Sequence, residues 1–188
     1  MKNFAKILTL SAVLAFVACD STTPTAPASG DLEVVPNPAV MTAGKTRQFT
    51  VTGPGGTTIT DGVTWQSSAP HIISISSSGL AMGMYEHGNV TIQASVGTAS
   101  ASGSANVPAA CNAPAELQGT PPSQPETSQL FEVQFESGVD VASRTAELAQ
   151  QIGFLVTETT ATGFLASLSP QQTNTLRCVE DIALLIYS

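Results

Sequence analysis

The stretch GFLASLSPQQTNTLR, residues 163–177, changes its period midway, and that change sets the fold of the C-terminal third. Phe164, Ala166 and Leu168 alternate with Leu165 and Ser167, the two-residue repeat of a strand with one apolar face. Ser169-Pro170-Gln171-Gln172 then reads as a helix start. Ser169 suits the N-cap, Pro170 suits N1, where no amide donor is lost, and Gln172 at N3 completes a capping box. Leu176 and Val179 give this helix an inner edge, and Glu180-Asp181 breaks it. Gly163 marks a turn, or a loop with its own bend, ahead of the strand.

The flanking residues extend the pattern. In LFEVQF, residues 130–135, Phe131, Val133 and Phe135 alternate with Glu132 and Gln134. Asp140 is placed to cap a helix whose apolar stripe is Val141, Thr145, Leu148 and Ile152, and Gly153 suits its C-terminal end. FLVTETTAT, residues 154–162, is rich in β-branched residues and reads as a strand, and IALLIYS, residues 182–188, as the last strand. The order over residues 129–188 is βαββαβ. It predicts a ferredoxin-like α+β unit, an antiparallel sheet with two helices on one face. Alternation assigns Glu132, Gln134, Leu165 and Ser167 to the opposite, open face.

Residues 31–107 keep the two-residue period throughout, as in Val63/Trp65, Phe49/Val51 and Val90/Ile92/Ala94. Turn signals at 54–56, 61–62, 77–79 and 87–88 separate the runs, and together they predict an all-β sandwich. Trp65 is expected in its core, and His71 and His87 in surface loops. Residues 108–128, with GTPPSQPETS at 119–128, read as a linker.

The N-terminus carries Lys2 and Lys6 and then an apolar run from Ile7 to Ala18, too short to span a bilayer as a stable helix. It ends in FVAC, which resembles the lipobox of bacterial lipoproteins. That resemblance implies a signal peptide over residues 1–18 and lipidation of Cys19. Residues 19–30, with STTPTAPASG, would then be a flexible tether, and the protein would sit in the cell envelope, anchored to a bacterial membrane. The alternative is a secreted, soluble protein. With Cys19 lipidated, Cys111 and Cys178 remain as an even pair in an oxidising compartment, expected as a disulfide and otherwise as two free thiols. A bridge would close a long loop, worth about 4 kcal/mol in chain entropy.

Charge bounds the partners. Lys and Arg total 6 against 14 Asp and Glu, a formal net charge of −8 that loss of Lys2 and Lys6 takes to −10. Such a surface repels nucleic acid and anionic lipid, so membrane attachment falls to the acyl chains. No metal site, cofactor or small-molecule substrate is expected. Residues 129–188 contain neither histidine nor lysine, so a Ser–His–Asp or Cys–His arrangement cannot be assembled there, and the chain does not read as an enzyme.

Two family resemblances follow from ordered motifs. Gly44 before a strand, Trp65-x-Ser67-Ser68, Gly79-Leu80 and Gly88 before Val90-Thr91-Ile92 resemble a group 2 bacterial Ig-like domain. This implies a spacer or adhesive unit. In residues 129–188, the segments Gly138-Val139-Asp140, Glu147-Leu148-Ala149, Gly163 to Pro170 and Asp181-Ile182-Ala183 resemble the subtilisin-propeptide family of proteinase inhibitors. The resemblance implies a partner, a subtilisin-like serine protease that the module inhibits or chaperones. In that family the open sheet face docks on the protease and a C-terminal tail lies in its cleft. Here that tail would be Ile186, Tyr187 and Ser188 if the last strand frays; otherwise those residues finish the sheet. The alternative function is a structural surface lipoprotein, an Ig-like spacer carrying a module that docks something other than a protease.

Overall fold

The computed structural model describes residues 31–122 and 127–188; the leader, Cys19 and the tether lie outside the described residues. Ten short strands fill the first module: β1 (Glu33–Val35), β2 (Ala39–Val40), β3 (Thr46–Gln48), β4 (Thr50–Thr52), β5 (Thr58–Ile59), β6 (Val63–Ser67), β7 (Ile73–Ile75), β8 (Leu80–Gly83), β9 (Gly88–Val96) and β10 (Ala99–Val107). They form three sheets, ordered β1-β4-β5, β2-β10-β9-β6 and β3-β8-β7, around one core that includes Val34, Phe49, Val51, Ile73, Ala81, Val90, Ile92 and Ala94. The all-β expectation holds. Trp65 packs against this core but is only partly buried, because β6 is an edge strand with β9 on one side alone. Its ring meets Phe49 edge-on at 6.5 Å.

The second module comprises β11 (Glu116–Gln118), β12 (Gln129–Phe135), α1 (Val141–Ile152), β13 (Val156–Thr159), β14 (Gly163–Leu168), α2 (Pro170–Leu176) and β15 (Ile182–Tyr187). Its sheet has the order β11-β15-β12-β14-β13. The four strands from β12 onward pair antiparallel, and β11 adds a parallel fifth at the β15 edge. Leu148 of α1 and Leu176 of α2 share a core with Phe131, Val133, Phe164, Ala166, Leu168 and Leu185, so both helices cover one face of the sheet.

The local chemistry behaves as expected at both helix starts. Asp140 accepts a hydrogen bond from the Ser143 amide. Ser169 and Gln172 form the reciprocal capping box. Gly153 ends α1 in the left-handed region, at φ 78°.

Three expectations need correction. The linker is not uniformly loose. Residues 116–118 join the second sheet, Cys111 ahead of them is bridged to Cys178 across a separation of 67 residues, and the Ala115 amide donates to the Arg177 carbonyl at 2.7 Å. Gly163 is not a turn but the first residue of β14, where a Cβ would collide with the Val133 carbonyl of β12. Val179 lies beyond the end of α2, although it still packs on the core.

Candidate functional site

Register places the candidate residues on one surface. Antiparallel partners share a face, so Glu132 stands between Ile186 of β15 and Leu165 of β14. Leu165 in turn faces Glu158 of β13, and Ile186 faces Gln118 of β11. One row therefore crosses all five strands as Gln118, Ile186, Glu132, Leu165, Glu158. A second row runs Glu116, Leu184, Gln134, Gly163, and beside the first Leu130 faces Ser167. The Gln134 amide donates to the Glu132 carboxylate at 2.8 Å. Ser167 is exposed, and its hydroxyl lies 3.0 Å from that of Ser128.

Among the described residues this face carries no helix, and its apolar members Leu130, Leu165, Leu184 and Ile186 belong to neither core. They are half-buried. The five predicted residues Glu132, Gln134, Leu165, Ser167 and Ile186 are thus brought together.

Tyr187 and Ser188 are placed differently. Tyr187 faces the helix side, its ring 4.9 Å from Phe131 and 6.4 Å from Tyr85 of the first module. Its hydroxyl donates to Glu86 at 3.2 Å, and burial, with the Glu86 charge adding to it, holds the phenol well above the usual tyrosine range. The Ser188 amide donates to the Leu130 carbonyl. β15 is flanked on both sides, by β11 and β12, so these residues finish the sheet.

The junction between the modules lies on the helix side. Met84 and Tyr85, fully buried, belong to the core of the second module, not the first. Arg177, 5 % exposed at the end of α2, donates through Nε to the Ala115 carbonyl at 2.7 Å, and its Nη1 lies 3.4 Å from His87 Nδ1. Burial lowers the Arg177 pKa. His71 Nε2 lies 3.8 Å from Glu86. Both histidines lie in loops between strands, as expected, His71 in the turn after β6 and the exposed His87 just before β9, and both loops border the junction. Sequence reasoning missed this role of Met84-Tyr85-Glu86-His87; the one available signal was a large apolar pair interrupting the turn between two strands.

Nothing among the described residues groups three or more His, Cys, Asp or Glu side chains in a metal-binding arrangement. No described helix is long and apolar enough to cross a membrane.

No protein family matches the sequence, and no curated protein matches it. Among solved structures, a bacterial Ig-like domain containing GH10 xylanase from termite gut is similar over 38% of this chain, at 17% identity and a TM-score of 0.32. The match spans only 18% of that xylanase. Domains 5–6 of the S-layer protein SbsC are similar over 72% of this chain and 81% of theirs, at 15% identity and a TM-score of 0.33. Similarities this distant leave the function to be argued from the chain's own geometry.

Proposed function

We propose that this chain is an envelope lipoprotein whose C-terminal, ferredoxin-like module binds a subtilisin-like serine protease and inhibits or chaperones it, with the Ig-like module as its mount. One observation carries the reading. The second sheet has both helices on one face, and the other face presents Glu132, Gln134, Leu165, Ser167 and Ile186 in register. The resemblance to subtilisin propeptides assigns protease docking to that same face. The described contacts with the first module through Tyr85, Glu86 and His87 fall on the helix side, away from the docking face. Because β15 is an interior strand, contact is made by its open face, through Ile186, while Tyr187 and Ser188 stay in the sheet.

The test uses residues 31–188, which contain both cores entire, since the second module borrows Met84 and Tyr85 from the first. A panel of subtilases is assayed at micromolar concentrations for complex formation, inhibition and recovery from denaturant. At least one enzyme is expected to bind, and Leu165→Asp to abolish binding while the melting temperature holds. If no enzyme binds, none is slowed and none refolds better, the reading is wrong.

A further inference from the structure

The charge on the open face decides what kind of surface it accepts. We infer that the face selects a protein surface whose apolar patch carries lysine or arginine at its centre and along its rim. This rests on the reading above only in using the same face. Leu130, Leu165, Leu184 and Ile186 supply partly exposed apolar area that belongs to neither core of the described chain. Glu132 stands at the centre of that area, Glu158 at the β13 edge and Glu116 at the β11 edge.

No cation among the described residues offsets these three carboxylates from within the face. Arg144 is held on α1 by Asp181, at 2.6 and 3.2 Å, and by Glu147 at 2.7 Å. Arg177 is buried in the junction. Lys45 and Arg47 belong to the first module, where Arg47 donates to the Val40 carbonyl.

The sign excludes other occupants. A second copy related by a two-fold axis would set this acidic face against itself, like charges opposed across an apolar contact. Anionic lipid and nucleic acid carry the wrong charge. The net charge of −8 gives the whole molecule a field of the same sign as the face, so a basic partner is steered toward it.

The test has two arms, both on residues 31–188. In the first, two catalytically blocked subtilases of opposite surface charge are compared by association rate at about 50 mM and about 500 mM salt, which shortens the screening length several-fold. The basic enzyme is expected to bind faster, with a rate that falls about tenfold or more as salt rises and falls similarly in Glu132→Gln/Glu158→Gln. Equal binding of the acidic enzyme, or a salt-insensitive rate, overturns the inference while leaving the protease reading intact. In the second arm, amide shifts are recorded with an amphipathic Lys/Leu peptide and with its Glu/Leu counterpart. The Lys/Leu peptide alone is expected to move amides of β12, β14 and β15, and Leu165→Arg to remove the effect. If neither protease binds but this peptide result holds, the protease reading fails and the inference stands. If both peptides or neither move those amides, the inference falls whatever the proteases do.

Discussion

Tyr187 shows how much one side chain does at the junction. Its ring bridges Phe131 and Tyr85, and its hydroxyl is tied to Glu86. Because the phenol is raised in the folded state, the stability it contributes is present below the ordinary tyrosine range, near pH 10, and is lost as pH climbs above it. Alkaline unfolding followed by circular dichroism is therefore expected to be shallower in Tyr187→Phe than in the parent. At neutral pH the same substitution costs about 1 kcal/mol, the worth of one hydrogen bond. Gly163 is the stricter position. A Cβ there meets the backbone of β12, which cannot step aside without breaking the β12–β14 ladder, so Gly163→Ala is expected to cost at least about 2 kcal/mol in urea unfolding.

Elements in the second module are set by local signals that agree with their packing. Ser169 caps α2, and Ser169→Ala is expected to cost about 1 kcal/mol by chemical denaturation. Arg144 on α1 bridges to Asp181 just before β15 and ties that helix to an interior strand of the sheet. β11 differs in kind. Three residues of parallel pairing hold it, and the Cys111–Cys178 bridge fastens its approach. Reduction, or Cys111→Ser/Cys178→Ser, is expected to lower stability by up to about 4 kcal/mol, the chain-entropy value for a loop of this length. Loss of exchange protection at residues 116–118 before the rest of the sheet would show that the bridge acts through this strand.

At the scale of the molecule, the two modules share side chains and not merely a linker. Tyr85, fully buried, fills a place among Phe131 and Tyr187 that no residue of the second module occupies. Tyr85→Ala is expected to cost about 3–5 kcal/mol, the range for deleting a large buried aromatic. Thermal unfolding of residues 31–188 is expected as one transition that splits into two in Tyr85→Ala, because the modules then melt separately. Two transitions in the parent would show that the shared core is weaker than its burial implies.

Features that depend on near neighbours along the chain were legible in the residues. Period-two alternation marked Phe131, Val133 and Phe164 for a core and Glu132 and Leu165 for the opposite face; Asp140, Gly153 and Ser169 marked helix ends; and cysteine parity paired Cys111 with Cys178. Contacts between residues far apart in sequence emerged from the folded chain. These are β11 beside β15, the carbonyl that makes Gly163 obligatory, and the entry of Met84 and Tyr85 into the second core. The physical reason is that a strand's pattern says which side is buried but not by what. A half-apolar turn such as Met84-Tyr85 looks the same in sequence whether its own module or the next one covers it.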